Sequence, residues 1–146
     1  MILTAGVTTT AEGHDRIVWH ILGQTYVPKL VSDRTFLWHA TLPAESFVPP
    51  HIHPTQDEWI TVQTGSLEVE FGAEVLAAGP GDVIRLPMGI AHGIFNRSGA
   101  TATCMFGVAP TRRLFDLFNA IHNVADPADV VRISAEHEVE FLPPPS

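Results

Sequence analysis

Four residues in the middle of the chain have the types and spacing of a metal site. His51 and His53 are separated by one residue, Glu58 follows five positions later, and His92 lies further along. Imidazole nitrogens and a carboxylate oxygen suit one divalent transition metal ion, which the sequence leaves open as Fe, Mn, Ni, Co or Zn. Alternate residues of an extended chain point to one side, so His51 and His53 would aim at the same point. Taken alone, that pair fits a polar surface loop better than a metal site.

The segments that would position these ligands are predicted to be short strands. One predicted strand shows this alternation, because Phe36, Trp38, Ala40 and Leu42 share one face while Leu37, His39 and Thr41 share the other. The twelve prolines and eleven glycines mark frequent turns. Residues 43–50 are predicted to be a connection whose final prolines hold the backbone extended into His51. The series predicts an antiparallel sandwich or barrel, with strands over residues 16–22, 25–30, 35–42, 58–64, 66–71, 75–77, 83–86, 92–96 and 101–108.

The pattern changes from strand to helix after Pro110. Apolar residues spaced for one helical face predict a helix over 111–122, and Asp126 before Pro127 predicts a second helix over 127–136. Residues 139–142 are predicted to be extended, as is the proline tail at 143–145. The domain organisation is therefore predicted as an N-terminal arm (1–15), a β-barrel (16–110), and C-terminal helices and tail packed on the barrel (111–146).

Composition excludes several classes of function. Eight basic and sixteen acidic side chains give a net charge of −8, which repels a phosphate backbone, so no nucleic-acid partner is expected. The apolar runs are too short to span a membrane, and no membrane partner is expected. Cys104 has no second cysteine to pair with and the N-terminus lacks the pattern of a signal peptide, which together favour a cytoplasmic location.

Two stretches of the chain resemble the paired motifs of the cupin superfamily. The second motif is matched at every position, and the first departs only where the glycine expected six residues before His51 is Glu45. The helix near Phe115 and the segment 133–143 add a weaker resemblance to small single-domain bacterial cupins of the quercetin-dioxygenase-like kind. The motifs themselves read His51-x-His53-x4-Glu58-x6-Gly65 and Gly81-x5-Pro87-x-Gly89-x2-His92-x3-Asn96.

This resemblance implies an all-β fold, the cupin jelly-roll β-barrel of two antiparallel sheets, with a short C-terminal helical segment. It also implies that His51, His53, Glu58 and His92 bind the metal. Glu58 is the candidate catalytic residue, because a carboxylate near a cation and apolar walls can exchange a substrate proton. The inward-facing residues favour a small apolar or aromatic substrate, and the candidate substrate pocket comprises Phe36, Trp38, Phe47, Ile60, Ile94, Met105 and Phe115.

The expected function is a dioxygenase that acts on a small aromatic or enolisable substrate whose oxygen coordinates the metal. Two alternatives remain open at this point: a non-catalytic cupin whose metal anchors a small molecule, and an isomerase or lyase that needs no oxygen. A homodimer is expected because exposed edge strands need protection. His39, His122 and His137 complete no metal spacing, and Cys104 is expected to be a small buried apolar residue.

Overall fold

The computed structural model describes residues 1–143, so the proline tail predicted at 143–145 lies outside the described residues except for Pro143. The chain contains eleven strands and two α-helices in that range, with a 3₁₀ turn at His14–Arg16. In chain order they are β1 (Trp19–Ile21), β2 (Gln24–Val31), β3 (Phe36–Leu42), β4 (Phe47–Ile52), β5 (Asp57–Thr64), β6 (Leu67–Phe71), β7 (Glu74–Ala78), β8 (Val83–Leu86), β9 (His92–Phe95), β10 (Ala102–Ala109), α1 (Leu114–Ile121), α2 (Pro127–Glu136) and β11 (Glu140–Phe141).

The strands form two antiparallel sheets. One has the order β1-β2-β3-β10-β5-β8 and the other has the order β11-β4-β9-β6-β7. Strands that are distant in sequence are neighbours in both sheets, as in β10 between β3 and β5 and in β9 between β4 and β6. The predicted fold class, an all-β double sheet with a short helical segment at its C-terminal end, is confirmed.

The inward faces of the strands follow the alternation in the sequence. In β3 the side chains of Phe36, Trp38, Ala40 and Leu42 are buried, whereas the residues between them are half-buried. In β5 the buried set includes Glu58. Each large apolar side chain that is fully buried contributes about 2 kcal/mol to stability through removal from water. The same alternation that builds the core therefore carries one charged side chain into it.

The path of the chain into His51 differs from the prediction. Residues 43–50 were expected to be a connection, but β4 begins at Phe47 and runs through Pro49 and Pro50 to Ile52. Proline donates no hydrogen bond to a neighbouring strand, and it is tolerated where pairing is irregular. The pairing of β4 with β9 shifts register between Val48 and His51, and the two prolines occupy that irregularity. The predicted end of the connection at residue 50 was therefore wrong, because the strand begins at Phe47.

The turn before β4 is retained although glycine is replaced by Glu45. Glu45 adopts φ of 68°, a left-handed conformation that side chains other than glycine rarely take. Its backbone N–H donates to the Asn96 carbonyl at 2.9 Å, and the Asn96 N–H donates to the Ser46 carbonyl at 2.9 Å. These bonds to a buried asparagine hold the turn in place.

We expect Glu45→Gly to raise the free energy of unfolding by about 0.5–1 kcal/mol, because glycine adopts this conformation without the steric cost. Thermal unfolding should show a rise in Tm of about 2–4 °C. The matched control is Glu74→Gly, which places glycine in strand β7 at an exposed position and should lower Tm. A lower Tm for Glu45→Gly would contradict the strain argument.

The two helices lie close to their predicted positions. Helix α1 begins at Leu114, three residues later than predicted, and its predicted apolar stripe is buried. Helix α2 has the predicted bounds, and the Ala128 N–H donates to the Asp126 carboxylate at 2.9 Å as an N-terminal cap. Within residues 1–143, no helix is long and apolar enough to cross a membrane.

Residues 1–13, which precede the 3₁₀ turn, form neither a strand nor a helix. The Lys29 ammonium donates to the Thr9 carbonyl at 3.0 Å, to the Thr10 carbonyl at 3.2 Å and to the Glu12 carbonyl. One cation on β2 therefore fastens the end of the arm to the larger sheet.

Candidate metal centre

Three imidazoles converge between the two sheets. His51 lies in β4, His53 follows that strand immediately, and His92 begins β9 directly opposite His51 in the strand register. One nitrogen from each ring lies within 4.8 Å of the others. The three residues are only 5%, 5% and 2% exposed. A pairing between strands that are distant in sequence therefore completes the cluster.

The Glu58 carboxylate joins this cluster from the second position of β5. One carboxylate oxygen lies 3.2 Å from Nε2 of His53, and the other lies 3.6 Å from Nε2 of His92. The Glu58 side chain is buried. The structure thus brings together all four residues that the sequence pattern assigned as metal ligands.

The imidazoles are oriented by hydrogen bonds from their outer nitrogens. Each Nδ1 lies within hydrogen-bond distance of an oxygen that can only accept, so each neutral ring carries its proton on Nδ1 and leaves a lone pair on Nε2. Nε2 of His92 is buried and has no hydrogen-bond partner among residues 1–143. A buried lone pair of this kind fits a metal ion. The three acceptors are the carbonyl of Pro49 (2.8 Å from His51), the amide oxygen of Gln56 (2.8 Å from His53) and the carbonyl of Ile90 (3.2 Å from His92).

Gln56 fixes the orientation of His53 through its own contacts. The Gln56 amide nitrogen donates to the carbonyls of Pro110 and Thr111, at 3.1 and 2.8 Å. Because the nitrogen is committed to these two carbonyls, the amide oxygen is the atom that faces His53. Sequence reasoning missed Gln56, since its partners lie more than fifty positions along the chain.

We expect Gln56→Met to weaken metal binding by about 10–100-fold, because the His53 ring loses the acceptor that orients it. Methionine has a similar length and fills the same buried volume. Competition with a coloured chelator would measure the affinity for Zn(II). The control Gln63→Met changes an exposed glutamine of β5 and should leave the affinity unchanged. An affinity of Gln56→Met within twofold of the wild type would show that Gln56 does not orient the ligand.

Burial and charge set the protonation of two of these groups. Burial would raise the pKa of the Glu58 carboxyl, but the His53 and His92 imidazoles outweigh it and lower that pKa to about 2. Burial lowers the pKa of His51 to about 3, with the neighbouring imidazoles acting in the same direction. Near neutral pH, Glu58 is therefore a carboxylate and His51 is a neutral imidazole, which are the forms that bind metal.

A largely apolar cavity of about 90 Å³ opens beside the cluster. His51, His53 and Glu58 form part of its wall. The remaining wall comes from the barrel interior, from strands β1 and β2, and from the two helices. Helix α1 contributes Leu117 and Phe118 through its buried stripe. The C-terminal helices therefore cover the cavity on the side away from the strands.

Three of the seven residues predicted for the substrate pocket line this cavity, namely Trp38, Phe47 and Ile94. Phe36 and Ile60 are fully buried in the core outside its wall. The prediction did not include Gln24, Tyr26 or Phe106, which do line it. The alternating pattern of β2 was a signal that could have identified Gln24 and Tyr26, because both are buried on the inward face.

Met105 and Phe115, which were also predicted for the substrate pocket, do not line this cavity. Met105 is opposite His39 and Thr61 in the strand register, and these residues alternate with the buried ones. It therefore lies on the outer face of its sheet. Phe115 packs against Trp19 with ring centres 5.3 Å apart, also contacts Phe36, and does not line the cavity.

Comparison with known proteins agrees with this architecture. A family model described as "Cupin domain" matches residues 38–108. Residues 38–108 are therefore similar to a cupin domain, and the two sheets have the cupin jelly-roll fold. No curated protein shows significant sequence similarity to the chain.

Solved structures share the fold at low sequence identity. KdgF from a Halomonas species is 19% identical with a TM-score of 0.67, and the match covers 77% of this chain and 99% of that one. An RmlC-like cupin from Shewanella frigidimarina is 14% identical with a TM-score of 0.67, covering 79% and 99%. TT1209 from Thermus thermophilus is 25% identical with a TM-score of 0.56, covering 60% and 83%.

Proposed function

We propose that this protein is a metal-dependent cupin dioxygenase that acts on a small enolisable substrate. The observation that supports the proposal is a buried carboxylate, Glu58, which lies beside three imidazoles and forms part of the wall of an apolar cavity. His51, His53, His92 and Glu58 would hold the ion. When bound, a divalent ion supplies Lewis acidity that makes a proton next to a substrate carbonyl easier to remove.

Glu58 is the group that would accept this proton. Its side chain is a carboxylate near neutral pH and could take a proton from a carbon acid that a neighbouring cation has made more acidic. The surrounding walls are largely apolar, and a low local dielectric would strengthen the attraction between a bound cation and the negative charge that develops on the substrate oxygen. Glu58 would then return the proton to the product. The proton transfer thus depends on the position of one carboxylate.

The cavity favours a substrate smaller than a flavonol. A cavity of about 150 Å³ in another protein holds one benzene molecule, and the cavity described above measures about 90 Å³. A flavonol has three rings and exceeds this volume by far more than a single small carbonyl compound does. In the described part of the chain no arginine or lysine lines this cavity, which disfavours phosphate esters. The preferred substrate class is a small uncharged enolisable carbonyl compound.

An oxygen electrode would test the proposal with protein loaded with Fe(II), Mn(II), Co(II), Ni(II) or Zn(II). We expect oxygen uptake with acetylacetone, a small β-diketone, and little or none with a flavonol. Carbon–carbon cleavage by a dioxygenase places both atoms of labelled O2 in the products, which mass spectrometry would detect. No uptake with any metal would remove the dioxygenase proposal.

An oxygen-independent isomerase or lyase is the second candidate, because proton transfer to Glu58 does not itself require oxygen. Exchange of the substrate proton for deuterium under strict anaerobiosis, without oxygen uptake in air, would support it. Saturable binding with neither exchange nor uptake would instead support a non-catalytic binding protein.

A further inference from the structure

The stretch of β4 that leads into His51 is paired irregularly on one side. The pairing of β4 with β9 shifts register between Val48 and His51. Pro49 and Pro50 occupy this interval, and proline has no N–H to donate. Nδ1 of His51 depends on the same stretch, because it donates to the Pro49 carbonyl at 2.8 Å. The irregular backbone therefore carries both a predicted metal ligand and the acceptor that orients it.

Strand β11 pairs with β4 on the other side. Its two residues lie opposite the last two residues of β4, and Phe141 is the residue opposite His51. The N–H of Leu142, which follows β11, donates to the Pro50 carbonyl at 3.0 Å. Pro50 lies between His51 and its acceptor Pro49. The C-terminal strand thus holds β4 at the place where the pairing with β9 is interrupted.

The Phe141 ring also lies against the His51 imidazole. The two ring centres are 5.2 Å apart, and the rings are inclined by 39°. His53 and His92 approach the same imidazole, with ring centres at 5.0 and 4.5 Å, and both are predicted ligands. Among residues 1–143, Phe141 is therefore the one aromatic neighbour of His51 that would not bind the ion. Its ring limits the rotation of the imidazole.

We infer that Phe141 is a positioning residue for the candidate metal centre. Its ring holds the His51 imidazole, and its strand holds the backbone that carries the Pro49 acceptor. The inference rests on the metal centre of the proposed function and not on the reaction. Strand β11 has two residues and Leu142 beyond it is exposed, so this end of the chain is prone to fray. Each opening of β11 frees His51, which lowers the fraction of protein that is ready to bind the ion.

Competition with a coloured chelator would measure the Zn(II) affinity of three variants. Phe141→Leu keeps an apolar side chain without the ring and should weaken binding by roughly three- to tenfold. Phe141→Tyr keeps the ring and should bind within about twofold of the wild type. Phe71→Leu is the matched control, because Phe71 of β6 is also half-buried against the core but lies outside the cavity wall. It should lower Tm and leave the affinity unchanged.

Hydrogen exchange of the Leu142 amide gives a second readout that a purely structural role would not change. Coupling between two sites is reciprocal, so a bound ion should oppose the opening of β11. Zn(II) should slow exchange of this amide in the wild type by roughly threefold or more. The control is the amide of Asp82, which donates to the Gly79 carbonyl at 3.0 Å in an exposed turn and should exchange equally fast with and without Zn(II).

Three results would overturn the inference alone. They are an equal loss of affinity in Phe141→Leu and Phe71→Leu, an equal loss in Phe141→Leu and Phe141→Tyr, and unchanged exchange of the Leu142 amide on addition of Zn(II). Absence of Zn(II) binding by the wild type would overturn it together with the metal centre. Because zinc is redox-inactive and binding is the readout, a negative oxygen-electrode result would bear only on the proposed reaction.

Discussion

Replacing His92 with leucine is expected to abolish metal-dependent stabilisation. His92 is nearly inaccessible, and within residues 1–143 its Nε2 is buried without a partner. Without a metal, leucine removes the desolvation cost of this atom but also loses the Nδ1 contact with the Ile90 carbonyl and the support that His92 gives to the Glu58 carboxylate. With a metal the same atom would be a ligand, so its loss removes one of three imidazoles. The substitution should therefore act chiefly on the metal-dependent part of the stability.

Thermal unfolding with and without Zn(II) would measure both effects. At metal concentrations of 100 to 1,000 times Kd, the wild type gains about 2.7–4.1 kcal/mol, which corresponds to a rise in Tm on the order of 10 °C. His92→Leu should show almost none of this rise. His39→Leu is the control, because His39 lies on the outer face of β3, away from the cluster, and should retain the full rise. A metal-induced rise of wild-type size in His92→Leu would refute the role of His92 as a ligand.

The candidate metal centre was more predictable from sequence than the cavity beside it. His51 and His53 are close in sequence and turned to one side by an extended backbone, while Glu58 lies on a strand whose alternation marks its inward face. His92 depends on a long-range pairing, which the second cupin motif supplied through resemblance. Local geometry and two motifs were therefore enough to predict that these residues meet.

The cavity wall was harder to predict because β10 is apolar on both faces. Cys104, Phe106 and Val108 point inward, and Met105 points outward, although Met105 is as apolar as its neighbours. Alternation shows which residues share a face, but it cannot show which face is inside when both are apolar. The pairing of β10 between β3 and β5 decides it. Met105 was therefore assigned to the wrong side.

For helix α1, the sequence pattern likewise identified the buried face but not which of Phe115 and Phe118 lines the cavity. The predicted stripe contained Phe118, which lines the cavity, whereas Phe115 lies outside that stripe and packs on Trp19. The stripe correctly identified the buried face. What that face packs against could not be predicted, because it depends on the contact between β1 and α1. That contact joins residues about one hundred positions apart in sequence.

Glu58→Gln should reduce proton removal from an enolisable substrate by about 10²–10⁴-fold, the usual contribution of a positioned acid or base. Glutamine keeps the size of the side chain and one oxygen, while the three imidazoles remain, so part of the metal affinity should persist. Its amide cannot accept the substrate proton. The rate is measured under strict anaerobiosis as exchange of the acetylacetone methylene proton for deuterium, expressed per bound metal, so that weaker metal binding does not imitate loss of the base.

Glu74→Gln provides the matched control, because it makes the same chemical change at an exposed position of β7. It should leave both metal content and exchange unchanged. If Glu58→Gln exchanges the proton at the wild-type rate per bound metal, Glu58 serves only as a ligand and another group accepts the proton. If the rate per bound metal falls by this factor, the result supports the buried carboxylate as the base, since the position and size of the side chain are retained while its charge and basicity are lost.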